Sequence, residues 1–365
     1  MMRHFLIPQT VAPQTNTPNF ANQSYDGNTL RALYGVPFVK PAAGSKVVVV
    51  AIIIGFHNSH LLEDLQTAWN KESSLGGGQG IPFPNVRVHT MANVTNPDKT
   101  TLEGWNTEAS LDLQMVCHMN PYADIWVIES ADVTNDALMA AIQYAEELNV
   151  DVISMSWGGR DNLYNKQYNK YFTKPTVCYC ASSGDWNYVC WPSVVPNCLS
   201  IGGTSLVSTG SGASAVRTAE YTWPSAGCGY STTCIQPGYQ SRVLPSKAYR
   251  SSPDLSLVAN PSTGVHVVDG EQTVVVGGTS VSCPIFAGML SLAIQERYNR
   301  NPAAVPLTSV CGAATNVQEC LYARQSTFYD VTVGVDGSFS AGNGFDTATG
   351  LGAPLWVTLI PLITL

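Results

Sequence analysis

Residues 276–288 read Val-Gly-Gly-Thr-Ser-Val-Ser-Cys-Pro-Ile-Phe-Ala-Gly. An apolar strand over residues 273–276 runs into two glycines, then Thr279 and Ser280, then a helix to about residue 300. Pro284 is expected in the first helical turn, where its missing N–H has no partner to lose. This sets the Ser280 hydroxyl at a helix N-terminus, where backbone N–H groups and the helix dipole stabilise developing negative charge. A serine so placed can act as a nucleophile. An ordinary N-cap serine in a glycine-rich turn gives the same pattern.

A nucleophilic serine needs a base to take its proton. The chain has six histidines, His4, His57, His60, His89, His118 and His266, none in a context typical of a catalytic histidine. Carboxylates are the other source. Leu111, Met115 and Met119 recur at helical spacing, and the pattern predicts a helix over residues 107–119 with Thr107 as N-cap. Glu108 and Asp112 are four apart and share one face of it. They read either as a solvated acidic stripe or as a pair that shares a proton, which pushes the two pKa values apart and makes one an effective base in acid. A third acid, Asp185, follows the apolar strand around Cys178 and Cys180, in the run Ser-Ser-Gly-Asp. Open α/β sheets place their chemistry at that carboxyl end, although a plain turn aspartate also fits. Asp330, and Asp346 in a Gly-rich stretch that includes Gly342 and Gly344, offer oxygen ligands for a hard cation. The absence of Cys and His there argues against zinc. A polar surface loop is the alternative. Asp269 and Asp336 lie in turn-like sequence and receive no role.

Taken in order, Glu-x-x-x-Asp on a helix, Ser-Gly-Asp after a strand, and Gly-Thr-Ser-x-x-x-Pro before a helix resemble the sedolisins, or serine-carboxyl peptidases. The likeness runs from about Thr17 to Pro354 and includes Ser154-Met-Ser-Trp-Gly158 and Pro253-Asp-Leu-Ser256. Glu-Ala-Ser-Leu-Asp, with Cys190-Trp191 after Gly-Asp, leans toward the tripeptidyl peptidase branch. The resemblance implies Ser280 as nucleophile, Glu108 as general base, Asp112 as the acid orienting it and Asp185 as an oxyanion-hole acid that must be protonated to donate. Gly158 and Gly159 would line the cleft and pair with an extended peptide. It also implies one structural Ca2+, held by the side chains of Asp330 and Asp346 and the carbonyls of Val331, Gly342 and Gly344. The implied activity is acid peptide hydrolysis through an acyl-enzyme, peaking around pH 3–5 from reference carboxylate values.

Two departures stand beside the likeness. The first core strand ends Ile-Ile-Ile-Gly-Phe, without the acid that extends the carboxylate network in many members. Only about fifteen residues precede the mature-domain signature, so residues 1–16 read as an N-terminal extension to a peptidase domain over 17–365. A propeptide or helper chain acting in trans is the expected partner. A non-catalytic binding or structural protein on the same fold, in a larger particle, is the alternative; the intact acid and serine set argues against it.

The elements that must position these residues follow from composition and periodicity. The chain has 365 residues, 45% of them apolar, enough for a large core, and no linker or repeat divides it. Charged residues make up 12% and the net charge is −8 without a basic cluster, which argues against nucleic acid and anionic membranes as partners. Apolar runs over residues 46–54, 124–128, 151–156, 176–181 and 198–201 read as buried strands. Helical patterns cover 61–71, 107–119, 135–148 and 284–300. Such alternation predicts an α/β fold, a subtilisin-like parallel sheet with helices on both faces. No run approaches a membrane span. Ten cysteines suggest an extracellular or acidic lysosome-like setting. The pairs Cys190/Cys198, Cys228/Cys234 and Cys311/Cys320 can close short rings, while Cys117, Cys283 and Cys178 or Cys180 read as buried thiols.

Overall fold

The computed structural model describes residues 2–8, 23–74, 81–310 and 316–365. Its centre is an eight-stranded sheet. In spatial order the strands are Val216–Thr222, Cys198–Thr209, Cys178–Ser182, Val152–Met155, Val49–Gly55, Asp124–Ser130 and Asn85–Thr90, with Leu255–Val258 also paired to Cys198–Thr209. All pairings are parallel except that of Val216–Thr222. Register is fixed across the middle: Ile52 lies opposite Val127 and Ser154, Ser154 opposite Cys180, and Cys180 opposite Leu199.

The central strand shows why its sequence is apolar without alternation. Val50, Ile52 and Ile54 face one helical layer, with Leu111 and Met115 of one helix and Phe286 and Leu290 of another. Ala51 and Ile53 face the opposite layer, with Leu138, Ile142 and Ala145 of the helix Asn135–Glu147. A sheet covered on both sides has no polar face to show. The expected α/β architecture is therefore present.

Helix boundaries differ from expectation in two instructive places. The helix carrying Glu108 runs Lys99–Met119, capped by Asp98, whose side chain accepts the Thr101 N–H; Thr107 lies inside it. The first two turns are mostly only part-buried and carry little apolar periodicity, so the pattern underestimates the helix. The helix after Ser280 runs Thr279–Arg300 with Pro284 in its interior rather than its first turn. There the proline removes the one bond that its N–H would have given to the Ser280 carbonyl, and Ser280 itself sits in the first turn. The two helices cross closely, because a side chain at Gly288 would meet Met119 and the Val116 carbonyl.

Cysteine rings are also corrected. Cys190, Cys198, Cys228 and Cys234 are all free and buried. Proximity in sequence does not aim the thiols at one another: Cys190 Sγ donates to Tyr188 O and Cys228 Sγ to Asp336 O. Cys320 is free as well, and Cys311 lies outside the described residues. Among the described residues no helix is long and apolar enough to cross a membrane.

Residues 2–8 do not stand apart as an extension. Arg3 and His4 pair antiparallel with Gly158 and Trp157, and Ile7 and Pro8 pair antiparallel with Gly277 and Val276. The segment crosses the carboxyl ends of the central strands.

Candidate active site

Four residues singled out by sequence converge at that crossing. Gly277 and Gly278 end the strand Gln272–Gly277, and Gly278 takes φ 108°, a backbone that favours glycine. The turn delivers Ser280 to the helix start, fully buried. Its hydroxyl donates toward Ser156 O at 3.3 Å and accepts from Phe5 N–H at 3.0 Å.

The helix Lys99–Met119 brings Glu108 and Asp112 in on one face. Every residue from 108 to 119 is buried, so the solvated-stripe reading fails. The reason is cover on the outer side: Gln114 donates to Val268 O at 2.7 Å and accepts from Val268 N at 2.9 Å, tying the helix to the hairpin above it as a neighbouring strand would. Burial, reinforced by Asp112, holds Glu108 well above the usual carboxylate range. Ser280 lies near enough to temper that rise, yet its hydroxyl is aimed at Ser156 O, and neither Glu108 oxygen has a hydrogen-bond partner. Asp112 is likewise raised by burial; its Oδ1 accepts the Ser156 hydroxyl at 2.6 Å and its Oδ2 is unpartnered.

Asp185 stands three residues past the strand Cys178–Ser182. Its Oδ1 accepts both the backbone N–H and the hydroxyl of Thr279, each at 2.8 Å. Burial, opposed by those two bonds, pushes the carboxyl up to about 8. The free Oδ2 is buried without a partner and borders Gly278, where a side chain would collide with both this carboxylate and the Phe5 carbonyl. A neutral Asp185 therefore carries a proton beside the helix N-terminus.

Sequence reasoning missed several neighbours. His4 Nδ1 lies 3.5 Å from Glu108 Oε2, and burial lowers its pKa to about 4, so it is neutral over most of the pH range. Nothing in the local sequence marks it. Ser156 orients Asp112 and lies in the quoted Ser-Met-Ser-Trp-Gly motif, which signalled the site but not the role. Thr279, next to Ser280, holds Asp185. Asp336, set aside as a turn residue, is buried, accepts from Asn187 Nδ2 at 2.6 Å and raises Asp185 through its charge.

The C-terminal ligand candidates also come together. Asp330 Oδ2 accepts the Gly344 N–H at 2.9 Å, and Asp346 Oδ2 accepts the Gly342 N–H at 3.0 Å. Among the described residues no cluster of three or more His, Cys, Asp or Glu gathers to hold a metal. Two carboxylates with backbone carbonyls suit a hard cation, and the carbonyls of Val331, Gly342 and Gly344 accept no hydrogen bond from the described residues.

Comparison with known proteins matches the chain to a class. Residues 89–327 match the model of the subtilase family, and the chain belongs to that family. The relatives it matches are serine-type peptidases of the sedolisin class. Sedolisin of Pseudomonas sp. is 32% identical over 177 residues, covering 45% of this chain and 28% of the relative. Kumamolisin of Bacillus sp. is 27% identical over 326 residues, covering 77% of this chain and 55% of the relative. The chain thus spans about half or less of the length of these curated relatives. The solved structure of Pseudomonas sedolisin complexed with pseudo-iodotyrostatin superposes with a TM-score of 0.74, covering 94% of this chain and 97% of that one at 23% identity, which shows the shared fold.

Proposed function

We propose that the protein is an acid-acting serine-carboxyl peptidase that cuts peptide or protein substrates through an acyl-enzyme. One observation carries this reading: three buried acids, four of whose oxygens lack partners, converge on a serine in the first turn of a helix. Structural acids are normally satisfied, whereas acids kept unpaired and raised in pKa are typical of reaction centres.

Each group has a task. Ser280 Oγ attacks the substrate carbonyl carbon and passes its proton to Glu108. Asp112, held by Ser156, keeps the pair one proton short of full charge. The oxyanion receives hydrogen bonds from the Ser280 N–H and from neutral Asp185 at Oδ2. Glu108 then gives its proton to the leaving amine, and water, activated by the same carboxylate, releases the acyl group. Asp185 sets the alkaline limb near its value of about 8. Burial and Asp112 hold Glu108 above the usual carboxylate range, which lifts the acid limb from its reference position and leaves activity between the two limbs, on the acid side of about 8.

The test is peptide hydrolysis across pH with product mass analysis on the wild type and on Ser280→Ala. Loss of turnover in a folded Ser280→Ala protein supports the reading; equal turnover removes the serine mechanism. We further propose that Asp330 and Asp346, with the carbonyls of Val331, Gly342 and Gly344, hold one Ca2+ that braces the C-terminal loop. Chelation is then expected to lower the melting temperature, and identical melts with and without calcium would withdraw the site. An extracellular or acidic lysosome-like setting suits the carboxylate chemistry and draws no support from disulfides.

A further inference from the structure

Asp185 can donate to an oxyanion only while it keeps its proton, and the turn that carries it is tied down from outside the cleft. That turn, residues 184–188, leaves the strand Cys178–Ser182 with Gly184 at φ 106° and bends again at Asn187, whose φ of 54° is left-handed. Its near end is held where the Gly184 carbonyl accepts the Gly227 N–H at 2.6 Å. The approach is close: a Cβ on Gly227 would strike the carbonyls of Ser183 and Tyr188. Its far end is held by the Asn187 side chain, which donates to the Pro224 carbonyl and, at 2.6 Å, to Asp336 Oδ1.

Asp336 belongs to a short hairpin, Val335–Asp336 paired with Phe339–Ser340. The hairpin is anchored without help from the turn. Thr222, at the end of the edge strand, donates its N–H to Val333 O at 3.0 Å, and Phe339 meets Tyr230 edge-on at 5.7 Å between centroids. Asp336 is fully buried, and its Oδ2 has no partner. An asparagine would serve the Asn187 bond at less cost, because burying an unpaired acid is unfavourable. The carboxyl is therefore left half-served two residues along the chain from a contact of Asp185, the same treatment that Asp185 itself receives.

The groups around these two acids leave them to titrate alone. Asp185 faces Glu108, with His4 beside it, and has Tyr188 and Cys190 on its own loop. Asp336 faces Cys228, whose thiol donates to its carbonyl at 3.4 Å and stands near Asp346. Burial raises both thiols and the phenol, so they stay neutral around pH 7–8. Two cations flank the turn, Arg3 over the Trp186 ring and Arg160 over the Tyr188 ring, and neither changes charge there.

We propose that Asp336 is a positioning residue for the oxyanion acid: through Asn187 it fixes the turn that presents Asp185, and its ionised carboxylate keeps the proton on Asp185 as the medium turns alkaline. The inference rests on the peptidase reading above. Asp336 releases its proton at about 7, before Asp185 at about 8, burial being the main cause of both values. The charge so formed disfavours a second charge at Asp185 and delays its ionisation. Asp336 touches no substrate; it extends the range over which the Oδ2 donor survives.

The experiment measures kcat and KM for peptide hydrolysis across pH on the full chain, beside Asp336→Asn, Asp336→Ala and Asn187→Ala. Infrared titration of the same proteins follows the C=O stretch of buried protonated carboxyls. Asp336→Asn keeps an oxygen to accept from Asn187 but cannot ionise. It is expected to retain wild-type kcat at the acid end of the active range, while its alkaline limb and the Asp185 carboxyl signal both move to lower pH by about one unit. Asp336→Ala and Asn187→Ala release the turn and are expected to lower kcat at least about tenfold at every pH, with KM within about twofold of wild type. An alkaline limb unmoved in Asp336→Asn, with the wild type hydrolysing peptides, overturns this proposal and leaves the peptidase reading standing. Wild-type kcat in Asp336→Ala does the same. Equal losses of kcat in Asp336→Asn and Asp336→Ala, with lowered melting temperatures, assign Asp336 to the fold alone and overturn it too. A wild type inactive toward every peptide at every pH overturns both readings.

Discussion

Two sets of buried carboxylates lie on the same scaffold and are treated in opposite ways. Asp254 is fully buried, and four donors serve it: Ser200 N–H, Gln240 Nε2, Tyr322 Oη and Arg250 Nη2, the last at 2.6 Å. Arg250 in turn donates to the carbonyls of Val195 and Cys198 and to Tyr239. Glu108, Asp112 and Asp185 are just as buried, yet no arginine or lysine is paired with them in any ion pair among the described residues, and four of their oxygens go unserved. Burial alone therefore says nothing about role. The partner list separates an acid that holds the fold from acids left without partners, since an unpaired buried carboxylate keeps its proton at a pH where a paired one is charged.

The largest effect should come from breaking the satisfied set. Asp254→Ala strands Arg250 in the interior and is expected to cost about 3–5 kcal/mol of stability, read by urea unfolding. A loss below about 1 kcal/mol would erase the distinction between the two sets. Glu108→Gln should do the reverse. It removes a group that resists ionisation in its site, so unfolding at pH 8 should be unchanged or harder, while hydrolysis falls by about 10²–10⁴-fold. If this variant proves as unstable as Asp254→Ala, Glu108 belongs with the structural acids.

A smaller effect sharpens the contrast through pH. Asp185 and Asp336 keep their protons up to about 8 and about 7, whereas both release them near 3.8 once unfolded. Between those values the native state binds more protons than the unfolded one, so stability falls as pH rises from about 4 to 8. Below 3.8 both states are protonated and this contribution levels off. Thermal melts should show a fall of several degrees across that window, and Asp185→Asn should remove part of the slope. A melting temperature that climbs steadily from pH 4 to 8 would mean that these acids are charged in the native state.

Much of the candidate site was readable because its residues sit where the backbone changes character. Ser280 follows two glycines, Asp185 follows a strand end, and Glu108 and Asp112 are four apart on a helix. Each such position leaves a local mark in the sequence. The sheet was readable because a strand covered on both faces has no polar alternation. What escaped depends on contacts without a local signature. Phe5 and Ser280 are 275 residues apart and His4 approaches Glu108 across the cleft; no spacing encodes either. The helix start at Asp98 was missed because its part-buried first turns carry no continuous apolar stripe. Short cysteine spacings misled because thiol direction depends on tertiary packing, which turned Cys228 toward Asp336 instead of Cys234.

The pairing of residues 2–8 has a consequence for what the cleft can accept. Both of its walls grip main chain: Trp157 and Gly158 on one side, Val276 and Gly277 on the other. A segment must leave its own sheet or helix and straighten over several residues before both walls can engage it. Folded domains seldom offer such a stretch, because their backbone groups are already paired. The rate at which an intact protein is cut would then follow how often that stretch opens by local unfolding. On the proposed peptidase reading, resistance to cleavage becomes a property of the target's fold as much as of its sequence.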